Sequence, residues 1–563
     1  MSDSEKSSHQ DDPKEDQDTG EDNGIEAIPG PEGETEIIET DYEIGQDNVA
    51  ARRWVFEFDV HNPVFPVSAL AILLFTFFAL AFQTQAEPMF VGLRDWLTGN
   101  VDWFFLLSGN IFVLVCLFLV VSPLGKVRLG GPEATPDYNY IGWFSMLFAA
   151  GMGIGLMFYG VSEPMSHYGA AVGGIVTDAN GVRTDWAPLG GAEGDPEAAR
   201  RLGMAATIFH WGLHPWAIYA VVALALALFS YNKGLPLTLR SAFYPIFGER
   251  VWGWPGHIID IMAVLATIFG LATSLGIGAQ QASAGLDFLF SLGTSNAVMI
   301  LLIVAITAVA IGSIIRGLDG GVKVLSEVNM GLALLLLGFI IIVGPTLAIL
   351  TGFFENLWAY GQNLLPLSMP FGREDANFSQ GWTAFYWAWW ISWSPFVGMF
   401  IARVSRGRTV REFLIAVLIV PTLLSVLWMT ALGGTAIGQL INDGYTGVQD
   451  AALELTLFQM LTQLPLTMIT SFVGIVLVIV FFITSSDSGS LVIDTIAAGG
   501  KTNAPVIQRV FWASFEGMVA IALLLGGGLA ALQAMAVSTG LPFTFVLLGA
   551  CYAVVRGLMN EPR

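Results

Sequence analysis

The sequence predicts an all-α membrane protein with twelve transmembrane helices, of which the last ten form two inverted repeats of five. Three observations predict this fold class. Hydrophobic residues make up 54% of the chain and charged residues only 12%, and the mean hydropathy is +0.65. Runs of about 20 apolar residues, the length that crosses a bilayer, recur along the chain. Two of these runs are interrupted at corresponding places in the order of spans.

The net charge of −22 arises mainly before the first span. Residues 1–50 hold seventeen acidic side chains against Lys6 and Lys14. A like-charged segment with few apolar residues favours disorder, so residues 1–50 are predicted to be a disordered acidic tail, either solvating or regulatory. The two cysteines fall within spans and indicate no disulfide framework, and no feature of the chain indicates nucleic-acid binding.

The predicted spans follow one another from residue 63 to residue 556. They are 63–84, 103–123, 141–161, 204–229, 257–290, 296–315, 329–352, 382–404, 411–437, 466–485, 507–527 and 533–556. An even number of spans places both termini on one side of the membrane. Seventeen Lys and Arg residues flank the membrane on that side and five on the other. Because cytoplasmic loops carry the excess of cations, both termini are expected to be cytoplasmic, in an inner or plasma membrane.

The third predicted span is interrupted by small residues. The stretch 151–164, which runs just past the end of this span, contains four glycines, Glu163 and Pro164 and is otherwise mainly apolar. Glycine unwinds a helix at little cost, and an unwound backbone within a membrane is stable only where it lines a protein cavity or binds a ligand. The segment therefore predicts a binding site, with close helix packing through small residues as the alternative.

A second interruption is predicted in the eighth span, where Ser392, Ser394 and Pro395 lie among tryptophans. Proline removes a backbone donor, and serine hydroxyls can satisfy the freed carbonyls. Broken helices five spans apart predict an inverted repeat with the site between its halves. The organisation is then two peripheral helices in 51–140, repeats in 141–352 and 382–563, and a connector in 353–381 that is either an interfacial helix or a loop with aromatic anchors.

Three motifs follow one another in the chain. They are Gly-Met-Gly-Ile-Gly-Leu-Met-Phe-Tyr-Gly at 151–160, Phe-His-Trp-Gly-Leu-His-Pro-Trp-Ala-Ile-Tyr at 209–219 and Trp-Trp-Ile-Ser-Trp-Ser-Pro-Phe-Val-Gly-Met-Phe at 389–400. Together they resemble the betaine/choline/carnitine transporter family, over about residues 55–556. The resemblance implies a leucine-transporter-type fold, commonly assembled as a homotrimer in the lipid bilayer.

Aromatic residues cluster in spans four and eight: Trp211, Trp216, Tyr219, Trp389, Trp390 and Trp393. The three in span four fall within about 140° on a helix, so they can face one pocket. Electron-rich ring faces around a space can hold a quaternary ammonium group, and aromatic packing is the alternative. The resemblance implies that Trp211, Trp216, Tyr219 and Trp390 form the family's aromatic box and that Trp393 is its central substrate tryptophan.

A betaine also needs a partner for its carboxylate, and no arginine or lysine lies at membrane depth in the predicted spans. Backbone N–H groups of Ile154 and Gly155 at the helix break, with the hydroxyl of Ser274, are the candidates. Ser274 bonding to its own helix is the alternative. Choline-type members of the family tend to have aspartate at Gly155, so glycine there favours a zwitterion.

A hydroxyl-rich stretch ends span ten. Sodium is a hard cation that prefers oxygen ligands, and the resemblance implies a sodium site at Ala149, Met152 and Phe481, through carbonyls, and at Thr484 and Ser485, through hydroxyls; helix capping is the alternative. The family's second sodium site would include Thr267 and Phe396. Leu271 replaces the expected second threonine there, which puts a second ion in doubt.

These features predict a secondary symporter that takes up glycine betaine or a related zwitterionic solute with sodium. A carnitine- or choline-type transporter or exchanger is the alternative within transport, and an onium-binding osmosensor or receptor is the alternative from another class. An enzyme is not expected, because no nucleophile–base pair, phosphate loop or metal cluster is evident in the sequence.

Overall fold

The computed structural model describes residues 28–53, 56–151, 153–174, 176–181, 183–317 and 323–563. It begins with an antiparallel hairpin of β1 (Asn48–Arg53) and β2 (Phe56–His61). Helices up to residue 316 are α1 (Val64–Ala81), α2 (Gln83–Val121), α3 (Tyr140–Gly151), α4 (Ile154–Gly173), α5 (Pro196–Trp211), α6 (Leu213–Ala227), α7 (Tyr244–Phe247), α8 (Trp254–Phe290) and α9 (Asn296–Arg316). The later helices are α10 (Lys323–Val343), α11 (Thr346–Ser368), α12 (Ala376–Phe378), α13 (Ala384–Val404), α14 (Val410–Asp443), α15 (Thr456–Leu461), α16 (Thr467–Ala497), α17 (Val506–Leu525) and α18 (Gly528–Met559).

The predicted all-α membrane fold is confirmed, but the count of twelve spans is not. In the described part of the chain, ten helices are long and apolar enough to cross a membrane, or eleven if α3 and α4 form one span. The predicted eighth span corresponds to α13, which is not among them. Its tryptophans, serines and proline make it less apolar than the ten helices that are.

The break predicted in span three is present. Helix α3 ends at Gly151 and α4 begins at Ile154, and the two helix axes differ by 65°. Gly153 between them is fully extended. Because an extended residue cannot continue the helical hydrogen bonds, the last carbonyls of α3 and the first N–H groups of α4 lose their helical partners.

The break predicted in span eight is absent, since α13 continues through Pro395. Proline leaves the carbonyl of Ile391, four residues earlier, without its helical donor. The hydroxyl of Ser394 donates to that carbonyl at 2.7 Å. The serine therefore replaces the missing backbone bond, and the helix does not need to unwind.

A different interruption, which was not predicted from the sequence, lies at Gly212 between α5 and α6. The N–H of Leu213 donates to the hydroxyl of Tyr360 in α11 at 3.0 Å. A Cβ at Gly212 would lie 2.8 Å from the same hydroxyl. The interruption thus depends on the approach of a residue that is remote in sequence.

The predicted seventh span, 329–352, runs across two helices. Helix α10 ends at Val343, and α11 begins at Thr346 after Gly344 and Pro345. The predicted connector, 353–381, therefore begins inside α11. This helix exposes Phe354 and Trp358, one turn apart on its surface, and buries Asn356 and Tyr360 on the other side.

The segment 28–50 is ordered against the helices, unlike the predicted disordered tail over 1–50; residues 1–27 lie outside the described residues. Lys233 donates to Glu36 at 2.8 Å, and Arg240 donates to the hydroxyl of Tyr42 at 2.9 Å. The ring of Tyr42 also stacks on Trp252 at 4.4 Å. These acidic and aromatic residues have partners in the helical part of the chain, which the composition of the tail alone cannot reveal.

The candidate site lies between the two predicted repeats. Helices α6 and α8 of the first predicted repeat pack against α13 and α16 of the second. Helix α4 packs against α5 and α14. The break between α3 and α4 is thereby enclosed by helices from both parts of the chain.

Candidate functional site

One cavity adjoins the break between α3 and α4. It is lined by Ala150, Gly151, Gly153, Ile154, Gly155, Leu156, Trp211, Tyr219, Ser274, Trp389, Trp390, Trp393 and Val397. Every predicted substrate residue except Trp216 is on this lining. The structure thus brings together candidate residues from α4, α5, α6, α8 and α13.

Three pairs of aromatic rings in the lining stand nearly at right angles, while Trp389 and Trp390 are tilted by 37°. The ring centroids of Trp211 and Trp390 are 5.1 Å apart at 86°, and those of Tyr219 and Trp390 are 5.4 Å apart at 74°. Trp211 and Trp389 are 6.4 Å apart at 88°. Edge-to-face contacts are favourable for aromatic pairs, and here they form walls in different orientations, so several rings can adjoin one small cation.

The indole N–H groups of these walls are bound to protein acceptors. Trp390 donates to the carbonyl of His210 at 3.0 Å, and Trp393 donates to the carbonyl of Gly270 at 2.9 Å. Trp389 donates to the hydroxyl of Ser274 at 3.2 Å. Because each N–H has a partner in the protein, the rings are fixed and a ligand meets mainly their apolar, electron-rich surfaces.

Trp216 lies beside the cavity lining. Its ring is buried and meets Tyr219 edge-on at 5.4 Å. A Cβ at Gly151, the last residue of α3, would be 3.2 Å from the Trp216 ring. Trp216 therefore supports one wall of the cavity and packs against the helix break.

Gly155 is required where it is by close packing. A Cβ at this position would lie 2.6 Å from the six-membered ring of Trp211 and 2.9 Å from that of Trp389. Any larger residue must displace at least one ring of the cavity. Gly155 therefore fixes the distance between the backbone of α4 and two of the walls.

The first turn of α4 also opens into this cavity, through Ile154 and Gly155. No side chain caps this helix at Gly153. Uncapped N–H groups and the helix dipole favour an anion. Ser274 is close by, but its hydroxyl also donates to the carbonyl of Gly270 at 3.3 Å, which is the alternative raised for it from the sequence.

The predicted sodium ligands lie in the last turn of α3 and in the middle of α16, except Met152, which is outside the described residues. The carbonyl of Ala149 is one of those that the helix break leaves without a helical partner. The hydroxyl of Thr484 donates within its own helix, to the carbonyls of Val480 and Phe481 at 3.1 Å each. Ser485 is half-buried on the same helix. These residues supply the oxygen types that sodium prefers, and their coordination of an ion stays a prediction.

The second predicted sodium site is largely apolar. The hydroxyl of Thr267 donates to its own helix, to the carbonyl of Ala263 at 2.7 Å. Leu271 is buried and packs so closely on Gly489 of α16 that a Cβ there would lie 2.4 Å from a Leu271 methyl group. Phe396 packs against Trp393 at 5.4 Å. Leucine thus fills the helix interface where a threonine oxygen was expected.

Glu163, for which no role was predicted from the sequence, is fully buried beside the cavity. Its carboxylate accepts from His167 Nε2 at 3.1 Å, His210 Nδ1 at 2.6 Å, Trp211 Nε1 at 2.8 Å and the Tyr386 hydroxyl at 2.5 Å. A carboxylate oxygen of Glu163 and one ring nitrogen from each of the two histidines, atoms that can bind a metal ion, lie within 4.8 Å of one another. The histidine nitrogens are at hydrogen-bond distance from the carboxylate, so in this structure the three residues form a hydrogen-bonded cluster. The signal in the sequence was an acid in a mainly apolar stretch at the end of the third predicted span, because an acid at membrane depth is functional by default.

Known proteins are similar to this chain over most of its length. A model of the betaine/carnitine/choline family transporters matches residues 63–563. A glycine betaine/proline/choline transporter of Vibrio parahaemolyticus is 67% identical, covering 95% of this chain and 97% of its own length. Glycine betaine transporter 1 of the same organism is 55% identical, over 93% and 98%. A glycine betaine transporter of Acinetobacter baylyi is 40% identical, over 88% and 73%. This multi-pass membrane protein is therefore a transporter, not an enzyme, and it belongs to the betaine/carnitine/choline transporter family.

Proposed function

We propose that the protein takes up glycine betaine, or a related zwitterionic onium solute, by symport with sodium. The observation that carries this proposal is one cavity lined both by aromatic ring faces and by the uncapped first turn of α4. A betaine has an onium cation at one end and a carboxylate at the other. The two ends of the solute are complementary to the two kinds of group in the lining: ring faces attract the cation, and backbone N–H groups attract the carboxylate.

The aromatic side binds the onium head group. A quaternary ammonium has no N–H to donate, so ring faces are its natural partners in a desolvated site. Each desolvated cation–π contact contributes about 2 kcal/mol. Contacts with Trp211, Trp390 and Trp393 together offset much of the cost of dehydrating the head group.

The first turn of α4 binds the carboxylate. The described lining of the cavity contains no lysine or arginine, so the anion is met by the backbone N–H groups of Ile154 and Gly155. Ser274 assists if its hydroxyl leaves the 3.3 Å bond to Gly270. Choline has no carboxylate to meet these groups and is expected to be a poorer substrate than betaine.

Sodium couples to the solute through the same helix break. The ion is coordinated by carbonyls of Ala149, Met152 and Phe481 and by hydroxyls of Thr484 and Ser485. Because the solute meets the first turn of α4 and the ion meets the last turn of α3, each stabilises one geometry of the break. Leu271 offers no oxygen at the second predicted sodium site, so a single coupled ion is favoured.

The transporter works in the cell membrane as a homotrimer with both termini in the cytoplasm. The orientation is supported by the excess of Lys and Arg on the side of the termini. The trimer rests on the family to which the chain belongs.

Uptake by proteoliposomes tests this proposal. Purified protein should accumulate labelled glycine betaine under an inward sodium gradient, and an equal potassium gradient at the same membrane potential should give only background uptake. Unlabelled choline should compete less well than unlabelled betaine. Accumulation that is the same with either cation gradient would exclude sodium coupling, and the absence of betaine uptake under all gradients would exclude the proposed substrate.

A further inference from the structure

The cluster around Glu163 joins three helices at the edge of the aromatic cavity. Glu163 lies on α4, about two turns after Gly155, and is completely buried. Its four donors come from α4 itself, from α5 and from α13. Two of these donors belong to His210 and Trp211, which are consecutive at the end of α5.

The hydrogen bonds indicate an ionised carboxylate between two neutral imidazoles. Both oxygens of Glu163 accept, and an ionised carboxylate is the form that can accept from every side. His167 uses Nε2 toward Glu163, while its buried Nδ1 has no partner among the described residues. A proton on that nitrogen would be an unpaired buried donor, so the neutral ring fits better. His210 Nε2 lies 2.9 Å from the Thr383 hydroxyl, and in the neutral ring this nitrogen can accept a hydrogen bond from that hydroxyl.

Among the cavity tryptophans, Trp211 differs in its N–H partner. Its indole donates to a carboxylate oxygen, whereas Trp389, Trp390 and Trp393 donate to a hydroxyl or to carbonyls. A donor bonded to an anion is polarised, and in a buried site of low dielectric this effect is large. The polarised N–H bond adds electron density to the ring whose face lines the cavity.

The cluster also fixes a second wall. The backbone carbonyl of His210 accepts from Trp390 Nε1 at 3.0 Å, and the His210 side chain is bound to Glu163 at 2.6 Å. The ring of His210 stacks on Tyr386 at 4.6 Å and 10°. The position of Trp390 is thus tied to the same carboxylate through one residue.

We propose that Glu163 is a positioning residue for the onium head group: its carboxylate orients Trp211 and, through His210, Trp390, and its charge strengthens the attraction of the Trp211 ring for a cation. This inference rests on the proposed onium solute. The ligand class follows from the chemistry, because a negative charge behind a ring face favours a cation in front of it.

Glycine betaine binding to purified full-length variants tests the inference. Glu163→Gln should weaken binding about tenfold while the variant stays monodisperse. Trp211→Phe keeps a ring but removes the N–H, and it should weaken binding by a similar factor. In the double variant the combined loss should be smaller than the product of the two single losses, because both substitutions remove the same hydrogen bond; the rest of the Trp211→Phe loss comes from the weaker attraction of a phenyl ring for a cation. Glu163→Asp should recover part of the affinity.

Tyr386→Phe is the matched control. It removes another donor from the same oxygen of Glu163 but no ring of the cavity lining. Its betaine affinity should stay within about twofold of the unmodified protein, although its melting temperature should fall. If Glu163→Gln does not fold, Glu163→Asp takes its place, since an unchanged affinity in that variant would also contradict a role in positioning.

Two results would overturn the inference. One is a folded Glu163→Gln protein with unchanged betaine affinity, and the other is an equal loss in Tyr386→Phe and Trp211→Phe, which would assign the cluster to stability alone. In both cases the unmodified protein still binds betaine, so the proposed function survives. If the unmodified protein binds no onium compound, the proposed function and this inference both fail.

Discussion

At the scale of residues, the cavity depends on tryptophans whose N–H groups point into the protein and whose faces line the space. Trp393 is anchored on the Gly270 carbonyl and is only partly buried. Trp216 is completely buried behind the lining. The two residues therefore separate the contribution of a ring that can touch the solute from that of a ring that supports the wall.

Trp393→Leu should remove most betaine binding and leave the fold intact. One desolvated cation–π contact of about 2 kcal/mol corresponds to a roughly thirtyfold change in affinity. Trp216→Leu should have a smaller effect on affinity and a larger one on stability, since it creates a cavity in packed structure. Binding and thermal unfolding of both proteins measure the difference. Unchanged affinity in Trp393→Leu would remove this residue from the site.

Gly155→Asp should raise choline uptake relative to betaine uptake, because it places a carboxylate where the solute carboxylate binds. The structure adds a steric effect, since a Cβ here would be 2.6 Å from Trp211. Gly155→Ala has the same Cβ without the charge and is the matched control. If both variants show the same choline-to-betaine ratio, the charge has no part in the selection.

At the scale of elements, glycine and proline in similar apolar runs affect the helix differently: the glycines interrupt it and Pro395 does not. The glycines at the α3/α4 junction produce a break that the sequence predicted, because glycine has no side chain to stabilise either conformation. Pro395 does not break α13, because Ser394 replaces the lost bond. The break at Gly212 needs the hydroxyl of Tyr360. Local sequence therefore indicates where a helix can break, but the remote partners decide whether it does.

Ser394→Ala should destabilise the protein by about 1 kcal/mol, since the Ile391 carbonyl loses its donor. In a Pro395→Ala background the restored backbone N–H can bond to that carbonyl, so the same serine substitution should cost little. Thermal unfolding in detergent compares the two backgrounds. Equal losses would show that the serine stabilises the helix in another way.

Thr484→Ala combined with Ser485→Ala should abolish sodium-stimulated uptake, because the remaining carbonyls cannot replace water around the ion. Thr495→Ala, which removes a hydroxyl bonded within the same helix, is the control. The dependence on sodium in the unmodified protein should have a Hill coefficient near one, and Leu271→Thr, which adds an oxygen at the second predicted sodium site, should raise it towards two. A clearly sigmoidal curve in the unmodified protein would contradict the single-ion account.

At the scale of the whole molecule, the membrane-spanning helices are the features that the sequence predicts best. Within hydrocarbon each spanning segment must form its own backbone hydrogen bonds, so the apolar runs of the sequence reveal most of the helices. The aromatic residues that stand in these runs are then evident as well. Contacts between distant segments are not visible in this way. Glu163 meets Tyr386 across 223 positions, and Tyr42 meets Arg240 across 198. The candidate ring residues were predicted from the sequence, whereas the groups that hold them in place were not.

A cryo-EM map of the purified protein with glycine betaine tests the central claim most directly. We expect the trimethylammonium group within about 6 Å of the ring centroids of Trp211, Trp390 and Trp393, and the carboxylate at hydrogen-bond distance from the N–H of Gly155. Betaine bound outside this cavity, or bound with its carboxylate against the rings, would contradict the account.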